Sequence, residues 1–126
     1  MRGGLNLESI LTSIKKLLGI EEDYTHFDQD IIVNINAVLM GLSQIGIGPP
    51  AGYWVSDKTQ TWTDYLGESN NLEAVKTYIY LKVRILFDPP SSSFVLSSME
   101  KMITEFEWRL NIQVDKPILE VVEADA

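Results

Sequence analysis

Apolar residues recur at helical spacing in four stretches of the chain. In the first, Leu7, Ile10, Leu11, Ile14, Leu17 and Leu18 fall on one stripe and predict a helix over 7–18. Asn6 is placed to cap it, Lys15 and Lys16 suit its C-terminal dipole, and Gly19 ends it. Glu21-Glu22-Asp23 then reads as a solvated loop. The second stretch, Phe27 to Ile45, carries Ile31, Ile35, Val38, Leu42 and Ile45, with Ile32 and Leu39 widening the stripe. Asp28 is the expected N-cap, with Phe27 and Ile32 as a hydrophobic staple and Thr25 as a rival cap. Gly46 suits the position just past the helix, and Pro49-Pro50 forbids continuation.

The pattern changes after Ala51. Tyr53-Trp54-Val55, a polar Ser56–Thr59 turn and Gln60-Thr61-Trp62 predict a short β-hairpin, and Asp64–Gly67 a single closing turn. A hairpin is marginal alone, so it must lie on helices or pair with another chain. Asn70, with Glu73 in capping-box spacing, starts a third helix on the stripe Val75, Tyr78, Ile79, Val83, Leu86, Phe87. Tyr80, Leu81 and Ile85 make its other side apolar too, so it is either central or covered on its second face by a partner. Asp88-Pro89-Pro90 stops it. Ser91–Ser93, or alternatively Ser97 with Glu100, caps a fourth helix bearing Val95, Met99, Met102, Ile103, Phe106 and Leu110, expected to end near Asn111. Beyond it Ile118, Leu119, Val121 and Val122 follow Pro117; they either pack back on the domain or form an extended arm for another subunit. The fold class is mainly α: a four-helix domain, residues 1–111, with a short β-hairpin inserted between helices 2 and 3, and an extended C-terminal arm, residues 112–126.

A length of 126 residues supports one domain burying roughly two-thirds of its unfolded surface. No apolar run approaches the ~18 residues that span a bilayer, so no membrane is expected among its partners. The N-terminus lacks an apolar signal region, and a soluble protein assembled inside the cell is expected. With no cysteine there is no disulfide, thiolate metal site or cysteine nucleophile. The net charge of −8 is concentrated: Ile20–Ala74 holds nine acids against one base, Lys58, while the rest of the chain balances. Tight DNA binding needs the opposite sign, although acidic walls that let DNA pass remain compatible.

Candidate chemistry is thin. His26, the single histidine, has no nucleophile or second base in a recognisable relation to it and reads as an ordinary loop residue. Asp57 to Glu68 has the acidic ends of an EF-hand loop, but Thr59, Thr61 and Trp62 break its interior, so calcium is not expected. Gly46-Ile47-Gly48 is followed by prolines that donate no N–H, which removes it as a phosphate cradle. Trp54, Trp62 and Trp108 divide between core and protein–protein anchor roles, and Met99 and Met102 read as core. No catalytic residue, metal or cofactor site is expected. The candidate protein-interaction residues are Tyr53, Trp54, Trp62, Tyr80, Leu81, Ile85, Ile118, Leu119, Val121 and Val122.

A set of segments resembles the head–tail connector (adaptor) proteins of tailed bacteriophages. They are Ser13–Gly19, Phe27–Ile31, Gln44–Pro49, Trp62–Gly67, Val75–Ile79, Phe87–Pro90 and Glu105–Asn111, in order over most of residues 7–111. The resemblance implies a small helical virion protein without enzyme activity, assembled in the host cytoplasm into the neck. It implies a homo-oligomeric ring of about twelve copies under the portal. The ring would join the portal to the stopper or tail-completion protein, with double-stranded DNA passing through without tight binding. A head-completion stopper, a tail-completion protein or a non-viral helical scaffold are the alternatives. The stopper would be mainly β.

Overall fold

The computed structural model describes residues 8–68 and 71–125, with the backbone alone for 113–125. Five helices follow in order: α1 (Ile10–Leu18), α2 (Asp28–Gln44), α3 (Trp62–Leu66), α4 (Leu72–Phe87) and α5 (Ser93–Asp125). α4 is central, packed by α1, α2 and α5, and α1 also packs on α2. Ile10, Ile14, Ile31, Ile35, Val75 and Ile79 form the fully buried heart of the core.

α1 starts at Ile10, three residues later than expected. Asn6 lies outside the described residues, and Ser9 is the cap, its Oγ accepting from the Thr12 N–H at 3.1 Å. Gly19 ends the helix at φ 84°, which lets the N–H groups of Gly19 and Ile20 reach the carbonyls of Lys16 and Lys15. α2 ends the same way: past the C-cap Ile45, the N–H groups of Gly46 and Ile47 bond to Ser43 and Leu42. Its start differs from expectation. Phe27 occupies the cap position without a side-chain bond, and Asp28 is the first helical residue, its carboxylate 2.8 Å from Lys15 Nζ.

The expected hairpin over Tyr53–Trp62 is absent, and there is no strand among the described residues. Both of its halves satisfy their backbone elsewhere. Val55 gives its N–H and C=O to the Asn36 side chain of α2. On the other half, Thr61 forms an isolated antiparallel bridge with Ser9, through Ile10 N–H to Gln60 C=O at 3.0 Å and Trp62 N–H to Glu8 C=O at 3.2 Å. The turn is closed by side chains: Gln60 Oε1 accepts from the N–H groups of Ser56 and Asp57. The β-prone residues therefore lie against helices, and the expected closing turn is the short helix α3, capped by Thr61 Oγ1 on the Asp64 N–H.

α4 follows Asn71; the expected start at Asn70 lies outside the described residues. Ser92 Oγ accepts from the Val95 N–H at the start of α5, so the cap falls in the Ser91–Ser93 run and not at Ser97. α5 does not stop near Asn111 but continues as helix to Asp125, so residues 112–125 are helical and not extended. Pro117 removes one backbone hydrogen bond from this run, and the helix-favouring Gln113, Lys116, Leu119 and Glu120 on either side carry the helix past it.

Candidate interaction surfaces

Trp54 is 60 % exposed although its neighbour Val55 is buried in the core. The loop that presents it is pinned at several points. Asn36 brackets Val55, and the Tyr53 ring lies 5.2 Å from the Tyr65 ring. Gly48, at φ 91°, leaves the Tyr65 ring the space that a Cβ would occupy at 2.5 Å from it. Burial, and then the charge of Asp64, raises the Tyr53 hydroxyl above its ordinary pKa. On α2 beside this loop, Val33 and Met40 also face solvent.

A second apolar surface lies on α5. Phe94 is 79 % and Trp108 64 % exposed, with Ile112 also exposed, while Met99, Ile103 and Leu110 on the opposite side are buried against α4. Tyr78 ties the two helices: its hydroxyl donates to Glu107 Oε2 at 2.8 Å, and Lys82 Nζ lies 3.9 Å from the same oxygen. Burial and the Glu107 carboxylate both raise the Tyr78 pKa.

The acidic stretch forms an open groove of about 730 Å³ lined by Glu21, Glu22, Asp23, Asp28, Asp57 and Lys58, among others. Its order comes from Lys15, which is 2 % exposed and donates to the carbonyls of Glu22 (2.9 Å) and Tyr24 (2.7 Å) while pairing with Asp28. The two carbonyls take hydrogen bonds from the ammonium, and Asp28 supplies the opposite charge beside it. Asp57 accepts from the N–H and hydroxyl of Thr59, which hold its carboxyl below the usual range. Among the described residues no group of three or more carboxylates, imidazoles or thiols is placed to hold a metal ion. His26 is exposed and packs its ring on Phe27 at 4.7 Å, among the aromatics Tyr24 and Phe87. Among the described residues no helix is long and apolar enough to cross a membrane.

The family model described as phage connector protein matches residues 10–117. The chain belongs to the phage connector protein family. No curated protein and no solved structure matches it. The family is one of structural head–tail connectors, which places this connector among virion components.

The structure distributes the sequence-selected residues of this connector unevenly. Trp62, 1 % exposed, is a core residue whose Nε1–H donates to Ser13 Oγ at 2.9 Å. Leu81 is buried, and Tyr80 and Ile85 are half-buried against the core, so the central position of α4 accounts for these three, while Leu86, expected on the buried stripe, is exposed. Trp54 faces solvent, with Tyr53 half-buried beside it. The side chains of Ile118, Leu119, Val121 and Val122 lie outside the described residues. Met99 is core as expected, but Met102 is exposed. Sequence reasoning passed over Val33, Met40, Phe94 and Ile112 as surface residues. The signal was present: each is apolar yet off the stripe that its helix buries.

Proposed function

We propose that this connector is the adaptor of the virion neck: a ring of about twelve copies beneath the portal. It joins the portal to the stopper or tail-completion protein and leaves a channel for double-stranded DNA. Assembly takes place in the host cytoplasm, and residues 112–126 serve as an arm reaching a neighbour or the portal. The observation that carries the reading is that a chain whose own core is closed still presents Trp54, Phe94 and Trp108 to water. Large aromatic residues of this kind are the usual anchors of protein interfaces. The helical fold speaks against the stopper alternative, which called for a mainly β domain.

The charge of −8 suits a conduit that must not retain DNA by counterion release. It also sets copies against each other, since screening at physiological salt extends only ~8 Å. The isolated chain is therefore expected to be monomeric at low salt and to assemble on the portal or as salt is raised. Electron microscopy of the purified protein mixed with its portal tests this: a ring on the portal supports the reading, and a protein that never joins the portal removes it. A complete, stable ring at low salt without portal would overturn the charge argument.

A further inference from the structure

We infer that neighbouring copies meet head-to-tail, the outer face of α2 with Trp54 on one copy docking against the outer face of α5 on the next. The inference rests on the ring reading above and assigns its contact surfaces.

Two unpartnered faces on different elements are the starting point. On α2, Val33 and Met40 stand a helical heptad apart and are exposed, while Ile31, Ile35, Val38 and Leu42 are buried behind them. On α5, Phe94, Trp108 and Ile112 fall on one face, opposite Met99, Ile103 and Leu110. The 17 residues of α2 run about 25 Å and the stretch Phe94–Ile112 about 28 Å, so the two helical faces are similar in length.

Charge decides which face meets which. The α2 face lies inside the acidic stretch: Asp30 is exposed at its N-terminal end and has no ion pair among the described residues. The α5 face presents Lys101, which has no ion pair among the described residues, and Arg109, whose contact with Glu105 is 4.0 Å long and exposed. Pairing α2 with its own copy offers Asp30 no base, since α2 holds no Lys or Arg, and pairing α5 with α5 offers Lys101 and Arg109 only Glu105. Only the mixed pairing can set Asp30 toward Lys101 and Arg109. The mixed contact is also heterologous, the kind that propagates around a ring, whereas a self-complementary contact stops at a dimer.

The test uses the full chain at a salt concentration where the wild type assembles, read by analytical ultracentrifugation. Met40→Glu breaks the α2 face and Trp108→Glu the α5 face; both positions are exposed, and far-UV circular dichroism matched to the wild type confirms the fold. Each variant alone should lose self-association by about 30-fold or more, the scale of a lost interface anchor. Their mixture should form a one-to-one dimer and nothing larger, because each contributes one intact face. Met40→Ala and Trp108→Ala should follow the same order with smaller losses. If the wild type stays monomeric at every salt concentration and on its portal, the ring reading falls and the inference with it. If the wild type assembles but either Glu variant still assembles alone, or their mixture stays monomeric, the pairing of faces is wrong and the ring reading stands.

Discussion

Asn36 brackets Val55 as a neighbouring strand would: its Nδ2 donates to the Val55 carbonyl at 2.9 Å and its Oδ1 accepts from the Val55 N–H at 2.8 Å. One side chain thus replaces a rung of the ladder that a hairpin would have supplied, and it fixes the residue next to Trp54. Asn36→Leu leaves both Val55 groups unpaired at a buried position. A loss of about 1–3 kcal/mol in urea unfolding is expected, together with greater mobility of Trp54 in fluorescence anisotropy. A stable variant with unchanged anisotropy would show that the loop is held without Asn36.

Lys15 organises the acidic loop from below. Lys15→Met keeps the volume but deprives Asp28 of its counter-charge and two carbonyls of their donor. Asp28 keeps about a fifth of its side chain in water, so the expected loss of about 2–3 kcal/mol is below that of a fully buried pair. Hydrogen exchange should rise in residues 21–27 before the rest of the fold; uniform protection there would contradict the role.

Gly48 and Tyr65 form a second close fit. Gly48→Ala meets both the left-handed φ of 91° and the Tyr65 ring, and should cost about 1–3 kcal/mol by denaturant titration. Tyr65→Phe should be neutral or stabilising, since the buried Tyr65 hydroxyl has no hydrogen-bond partner among the described residues.

Alkaline pH should weaken this connector through its tyrosines. Burial raises Tyr65 and Tyr78 above the ordinary 10.0, and Glu107 raises Tyr78 further. The folded state therefore holds these protons more tightly than the unfolded chain. The resulting stability is fully present below pH ~10 and is lost as pH rises through the raised native values. The urea midpoint should fall above pH ~10, and Tyr78→Phe should flatten part of that fall while costing about 1 kcal/mol at neutral pH. An identical alkaline slope in the variant would remove Tyr78 from the account.

Deleting Ile118–Ala126 should leave the urea midpoint within about 0.5 kcal/mol of the full chain, the scale of changes that touch no core contact, while weakening attachment to the portal. An unfolded truncated chain would make the segment part of the core.

The stops of α1, α2 and α4 were legible because they depend on near neighbours, whereas the stop expected near Asn111 is absent and α5 runs on to Asp125. Apolar spacing marks the buried stripe of α2, Gly19 and Gly46 supply left-handed turns, and Asp88-Pro89-Pro90 cannot continue a helix. The exposed patches were half legible: Phe94 and Met40 stand off their stripes, but nothing local tells a reader that no other element covers them. Trp54 and Trp62 show the limit. Both sit in the same β-prone run, and one faces solvent while the other is core.

What the chain dictated alone was its mainly helical class, its acid-rich middle and the likeness to head–tail connectors, since pattern and composition suffice for each. Tertiary structure alone decided that the Tyr53–Trp62 run is no hairpin, that Lys15 is buried and that Trp62 points inward. Each of these depends on a partner distant in sequence: Asn36 for Val55, the Glu22 carbonyl and Asp28 for Lys15, and Ser13 for Trp62. Backbone and charge settle on whichever partner the packed helices bring within reach, and local pattern does not say which that will be.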